Sequence, residues 1–193
     1  MHDVWVGTAE NRALTDAAER TAQATDALYG EVTGDMVTGQ TDYCFPRVYK
    51  PKAFYVIDAH GKRQSLCVSS TDTLDGGGAG VWRTETAATP RRVIVAALNR
   101  FTVQPTPTAT RLNALIVAGF ILPPVWDKPG DVCPLPDWAH DAVVLKATAT
   151  ACRILKSKDR AYAATEAEYN RDYLTTCGII AAQAGKLYRQ GNP

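Results

Sequence analysis

The stretch from Trp82 to Pro136 decides how this chain is organised. It reads WRTET at 82–86, PRRVIVAALNRFTVQPTP at 90–107 and RLNALIVAGFILPP at 111–124, and it closes on the LPDW motif at 135–138. Its apolar runs predict three β-type segments, which prolines interrupt because proline cannot donate a ladder hydrogen bond. None of the runs carries a cluster of catalytic residue types. The stretch therefore predicts a scaffold that presents a shaped surface, with mostly helical sequence on both sides.

The composition is that of one soluble globular domain, or of one core with an insertion. Of 193 residues, 46% are hydrophobic and 21% are charged, and the net charge is +1. This balance argues against a protein that binds nucleic acid through a strong basic field, although a local basic strip is compatible with it. No run approaches the ~18 apolar residues of a membrane span. The leader MHDVWVGT lacks the basic and apolar regions of a signal peptide, so none is expected.

The five cysteines indicate a reducing compartment. Their number is odd and no two form a CxxC pair, which favours small, reduced, apolar side chains over a zinc site or a disulfide framework.

The N-terminal part predicts an arm and a helix. Residues 1–8 read as an extended arm in which Trp5 either anchors into a groove or covers the domain's own core. Thr8 is placed to cap a helix over 9–29, where Leu14, Ala18 and Leu28 belong to a thin apolar stripe. Three glycines then predict a loop over 30–42.

The middle of the chain predicts hairpins. A β-run from Tyr43 to about residue 57, a turn at 58–61 and a return strand at 64–69 form the first hairpin, with Leu66 and Val68 on one face. The second joins 92–98 to 100–104 around Asn99, and the nearly continuous apolar run at 111–122 predicts a strand buried on both faces.

The glycine-rich segment 69–80 predicts a flexible loop rather than a phosphate site. Gly76, Gly77, Gly78 and Gly80 precede Val81 without the Lys-Ser/Thr pair or the helical pattern that a phosphate cradle requires.

Two helices end the chain, over about 136–156 and 159–188. The first has an apolar stripe made of Trp138, Ala142, Leu145, Ala149, Cys152 and Leu155. The second is capped by Asp159 and is roughly 45 Å long. The short joint at 157–158 predicts an antiparallel hairpin, and the tail at 189–193 is expected to be mobile, or ordered only on a partner.

No catalytic or metal-binding arrangement is readable, so the protein is not expected to be an enzyme or to hold a cofactor. The histidines stand apart at 2, 60 and 140, and the pair Asp137–His140 indicates a cap or surface contact. Arg91 and Arg92 are too few to recognise nucleic acid alone, but a symmetric ring would repeat them as a positive belt around DNA.

The predicted fold class is α+β: a helical bundle, made of the N-terminal helix and the long C-terminal helical hairpin, with an inserted antiparallel β-module. The expected parts are 1–42 for the arm and helix, 43–135 for the β-module, and 136–193 for the hairpin and tail. The first and last parts form one structural unit.

The order of these parts resembles the head-to-tail adaptor (connector, or neck) proteins of tailed bacteriophages. The resemblance covers roughly 9–188 and depends on short motifs in sequence order. These are YCFP at 43–46, the strand and turn at 54–61, the segment from Trp82 to Pro90, VQPTP at 103–107, ILPP at 121–124, LP at 135–136 and the break at Lys158-Asp159.

This resemblance implies a structural virion protein in the neck, at the head–tail interface, assembled in the host cytoplasm. It implies a homo-oligomeric ring of twelve copies below the portal protein, a downstream tail partner (terminator, tube or nozzle), and a channel for passing genomic DNA, with no membrane. Arg91 and Arg92 are then expected to face the channel. The expected interface residues are Trp5, Tyr173, Ile180, Leu187, Tyr188 and Arg189.

Two other hypotheses stay open at this point. One is a different tail-completion or tail-tube-associated virion protein. The other is a small ligand-binding α+β domain with the Gly76–Gly80 loop as a lid, which requires a convergent polar pocket.

Overall fold

The computed structural model describes residues 2–70, 85–97, 99–125, 132–156 and 159–190. For 2–10 and 184–190 it describes the backbone and not the side chains. The glycine-rich loop at 76–80, the joint at 157–158 and the last three residues lie outside the described residues. The chain divides into two compact units: a helical unit of Met1–Leu28 with Leu122–Pro193, and a β unit of Tyr29–Ile121. These boundaries differ from the expected ones at 42 and 135.

Within its described residues, the helical unit contains three helices and one short 3-10 turn. They are α1 (His2–Thr25), the 3-10 turn Asp137–Ala139, α2 (His140–Leu155) and α3 (Tyr162–Gln190). The expectation of an extended arm before a cap at Thr8 was wrong, because α1 already begins at His2. Residues 2–8 hold no proline and one glycine, and a single glycine costs a helix only ~1 kcal/mol. The helix ends at Thr25 rather than near 29, since Asp26 has a left-handed φ of 51°.

The core of the helical unit is built from small side chains. Ala17, Ala18 and Ala22 of α1 are completely buried, and they share one cluster with Ala142 of α2 and Ile180 of α3. Side chains this small let helix backbones approach closely. Helices α2 and α3 run antiparallel as expected, because Lys146 bonds Asn170 while Lys156, further along α2, pairs with Glu166.

The part of the β unit that the structure describes contains eight strands in two sheets. In chain order the strands are β1 (Tyr29–Met36), β2 (Asp42–Cys44), β3 (Val48–Ile57), β4 (Arg63–Ser65), β5 (Cys67–Ser69), β6 (Arg92–Ala97), β7 (Arg100–Gln104) and β8 (Arg111–Ile121). The first sheet has the order β1-β8-β3-β4 and is antiparallel; the second has the order β2-β7-β6-β5 and contains one parallel pair, β5 with β6. Apolar residues from both sheets, such as Phe54 and Phe101, form one core.

The loop expected at 30–42 was wrong for its first half, where β1 pairs with β8 along most of its length. The glycines there make room for neighbouring side chains instead of ending regular structure. A Cβ atom at Gly30 would lie 2.9 Å from the side chain of Ile121, and one at Gly34 would lie 2.8 Å from the ring of Phe45. Glycine in a strand often marks such a close approach.

The return strand expected at 64–69 is divided between the two sheets. β4 pairs with β3, but β5 leaves that sheet and pairs with β6. Leu66, at the break, is buried while Val68 is 54% exposed, so the expectation that they share a face was wrong. A change of sheet interrupts the side-chain alternation that a continuous strand would keep.

The β-run expected from Tyr43 to about 57 was wrong as a single strand, since it is divided between β2 of the second sheet and β3 of the first. The strands predicted at 92–98, 100–104 and 111–122 are confirmed. β6 and β7 form the hairpin expected around Asn99. β8 lies between β1 and β3, and its residues from Ala114 to Phe120 are all buried. Its Gly119 allows β3 to pass very closely, because a Cβ there would lie 2.5 Å from the Lys50 carbonyl oxygen.

Candidate assembly surfaces

Two of the expected interface residues belong to the subunit core. Tyr173 and Ile180 are 6% and 3% exposed and pack against α1 and α2. These two side chains pack the helices of the subunit together, and too little of their area is exposed to contact a partner. Trp5 lies in α1, and the other three expected interface residues lie in the last turns of α3. Their side chains fall outside the described ones, so their interface roles stay predictions.

The two arginines expected at a channel differ in their surroundings. Arg91 is exposed, and its backbone N–H donates to Gln104 over 2.8 Å. Arg92 is half-buried and its guanidinium lies 3.1 Å from the carboxylate of Glu85. This carboxylate partly neutralises Arg92, so Arg91 is the stronger candidate for an outward positive charge.

A buried polar cluster joins the three helices. The Tyr173 hydroxyl on α3 interacts with Thr21 of α1 and with Cys177, and Lys146 of α2 lies 5.1 Å from the centre of the Tyr173 ring. Burial raises the pKa of the Tyr173 hydroxyl and, likewise, the pKa of the Cys177 thiol. Both groups are therefore neutral at ordinary pH, and an inert, protonated thiol fits a structural role.

The helical unit also carries large apolar side chains that face outward. On α2, Val144 is 58% exposed and Ile154 is 56% exposed; on α3, Leu174 is 68% exposed and Ile179 is 56% exposed. The sequence stripes assigned one apolar face to each helix and missed these residues. The sequence did contain a sign of them, because each helix has apolar residues on more than one face. In the adjacent pair Val143 and Val144, for example, the first is buried and the second is exposed.

The outer face of the first sheet is aromatic and cationic. The ring of Phe120 meets Tyr29 edge-on at 5.4 Å and has the ammonium groups of Lys50 and Lys52 at 5.2 and 5.8 Å. Arg63 stacks on Tyr55 at 3.7 Å. Such cation–π contacts stabilise the positive charges at the surface of the strand layer.

The ion pair beside this layer holds Arg63 in place. Its guanidinium donates to both carboxylate oxygens of Glu31, the shorter distance being 2.6 Å, and this hydrogen bonding raises the pKa of Arg63. The β unit contains ten Lys and Arg against seven Asp and Glu, whereas the helical unit contains eleven against thirteen. The positive charge of the chain is therefore concentrated between residues 29 and 121.

The described residues contain no candidate metal centre. Among them, no three or more His, Cys, Asp or Glu side chains are grouped to hold a metal ion. The Asp137–His140 pair is a surface contact at 3.9 Å, and the other ring nitrogen of His140 lies 2.9 Å from the Leu135 carbonyl oxygen. The cysteines are free, as expected, and two of them are buried. No described helix is long and apolar enough to cross a membrane.

Comparison with family models finds one that covers nearly the whole chain. The model described as SU10 adaptor protein matches residues 3–190. Comparison with curated proteins gives no match. The matched range includes both the helical unit and the β unit.

Proposed function

The chain belongs to the SU10 adaptor protein family, and on this premise we propose that it joins the portal vertex of a tailed-phage capsid to the tail. As a member of this family it is a structural adaptor protein of a bacteriophage, and the family supports a virion component rather than an enzyme. The match over residues 3–190 is the observation that carries the proposal.

The proposed assembly is a homo-oligomeric ring of twelve copies in the virion neck. A ring requires two different faces on each subunit, since the contact is heterologous. The outward side chains of Val144 on α2 and Leu174 on α3 supply candidates for those faces on the helical unit. Its core of small side chains also fits a subunit whose stability rises when neighbours bind. A helical bundle with the β unit inserted is the arrangement proposed for each copy.

The proposed partners are the portal protein on one side and a tail protein (terminator, tube or nozzle) on the other. Genomic DNA passes through the ring without sequence-specific contacts. The positive charge of the β unit and the exposed Arg91 support a weak attraction to phosphate groups. Holding two protein rings together requires no cofactor and no chemistry.

The proposal is tested by the mass of the protein in solution, alone and with its phage's portal ring. Light scattering after size exclusion should give a large ring, or a monomer that becomes ring-sized only when portal is added. An unrelated ring-shaped protein is the control for non-specific adsorption. A monomer that ignores the portal would overturn the proposal. A ring that binds tail protein but not portal would overturn the portal contact and favour another tail-completion role.

A further inference from the structure

Helix α2 has an outward row of residues with coiled-coil spacing. We call this row the α2 seam, and its members follow one another at steps of three and four: Asp141, Val144, Thr148, Ala151 and Leu155. Val144 is 58% exposed and Leu155 is 38% exposed, while Ala142 and Ala149 turn into the subunit core. Steps of three and four place residues on one side of a helix.

Helix α3 has a second outward row with the same spacing in the opposite order. We call it the α3 seam: Ala167, Arg171, Leu174, Gly178 and Ala181. Leu174 is 68% exposed. None of the described residues outside its own helix turn comes within 4 Å of a Cβ atom added at Gly178, so they leave the surface open at that point.

When the two seams are aligned antiparallel, large side chains of one lie opposite small side chains of the other. Every step along one seam then equals the step along the other, which brings Val144 opposite Gly178 and Thr148 opposite Leu174. The same alignment brings Leu155 opposite Ala167 and Ala151 opposite Arg171. The bulky side chains thus face small ones along the seam, which is the condition for side chains to interdigitate. The apolar stem of Arg171 can lie along the seam while its charge stays in water.

Ring symmetry also favours this direction. Within one chain, α2 and α3 are antiparallel. Neighbours in a twelve-fold ring are rotated by only about 30°, so α2 of one copy and α3 of the next must also be nearly antiparallel. We therefore propose that the α2 seam of each subunit packs on the α3 seam of a second copy of this chain. This inference rests on the proposed ring and names its contact residues.

The area of this contact decides how the copies associate. The sixteen residues of α2 span about 24 Å, so the seam buries roughly 300 Å² on each copy, if the strip is about 12 Å wide. A stable pair usually needs about 800 Å² per partner. Two copies therefore associate weakly through this contact alone, whereas closing the ring engages both seams of every copy. We expect association that depends steeply on protein concentration or on a portal template.

The test uses two variants that each damage one seam. Val144→Asp leaves the α3 seam intact, and Leu174→Asp leaves the α2 seam intact. Because both side chains are more than half exposed, each variant should remain a folded monomer by circular dichroism. Neither should form rings alone, with association at least about tenfold weaker than wild type for the loss of one buried apolar side chain. Ile179→Asp, also on α3 and 56% exposed but outside the seam, is the matched control and should assemble normally.

Mixing the two damaged variants gives the decisive result. One intact α3 seam and one intact α2 seam can form a single contact, so the mixture should give 1:1 pairs at high concentration and no rings. The readout is analytical ultracentrifugation, with the portal ring present in a parallel series. Rings from either variant, or equal loss with Ile179→Asp, would overturn the seam assignment while leaving the adaptor function intact. Wild-type protein that never forms rings, even with portal, would instead overturn the proposed function.

Discussion

Replacing Gly119 by alanine should specifically weaken the first sheet of the β unit. The added Cβ would lie 2.5 Å from the Lys50 carbonyl oxygen and 2.9 Å from the Pro51 Cα. Both obstacles are backbone atoms of β3, so no side chain can rotate away. Strands β3 and β8 must separate by about 1 Å, and overpacking of this kind costs ~1–3 kcal/mol.

The opposing effect of the substitution is smaller. Alanine reduces the conformational freedom of the unfolded chain, which favours folding by ~0.4–1 kcal/mol. We expect the free energy of unfolding to fall by about 2 kcal/mol, because a clash with backbone atoms puts the overpacking cost near the top of its usual range. For a chain of this size that lowers the melting temperature by about 4–8 °C.

The assay is urea denaturation followed by circular dichroism, with hydrogen exchange to locate the change. Amides of β3 and β8 should exchange faster in Gly119→Ala, while those of α1 to α3 should not. The matched control is Gly178→Ala on the open face of α3, which should raise stability by ~0.5–1 kcal/mol because alanine is the better helix former. A Gly119→Ala protein within about 0.5 kcal/mol of wild type would refute the close approach of β3 and β8.

Three further predictions concern single side chains. Tyr173→Phe removes the hydroxyl that interacts with Thr21 and Cys177, and it should lower the free energy of unfolding in urea by ~1 kcal/mol; unchanged stability would contradict the role of the polar cluster. Hydrogen bonds, first of all from the Lys62 backbone, lower the pKa of Asp58. The stability that Asp58 adds is therefore present above the ordinary carboxyl pKa and is lost as pH falls through the pKa of the folded protein. The protection of the amides of residues 60–62 from hydrogen exchange should fall with pH for this reason, and Asp58→Asn should remove that pH dependence. In assembled rings, Arg91→Ala should reduce the salt dependence of DNA binding more than Arg92→Ala does, because Glu85 already pairs with Arg92; equal effects would argue against that difference.

Strong local patterns predicted β8, the β6–β7 hairpin and helices α2 and α3. β8 could be predicted because its sequence is a nearly continuous apolar run, as suits a central strand whose residues from Ala114 to Phe120 are all buried. The β6–β7 hairpin was readable because Asn99 separates two short apolar runs. Helices α2 and α3 were readable because their core residues recur every three or four positions.

The errors arose where distant residues decide the local structure. Gly30 and Gly34 looked like loop residues, but Ile121 and Phe45 occupy the space that their side chains would take. The change of sheet at Leu66 depends on a parallel partner, β6, more than twenty residues away. The candidate assembly surfaces could not be predicted from the sequence. An apolar stripe predicts that a helix face is buried, but it does not show whether the same chain or a neighbouring subunit covers it. Val144 and Leu174 became visible only when their neighbours within the subunit were known.

The β unit begins and ends on two strands that are hydrogen-bonded neighbours. Tyr29, its first residue, pairs with Phe120, its last but one, so their Cα atoms are about 5 Å apart. An insertion whose ends lie this close can be replaced by another, or by a short linker, without lengthening the path between the flanking segments. Replacing residues 29–121 by another segment with equally close ends would therefore leave the chain path of the helical unit unchanged.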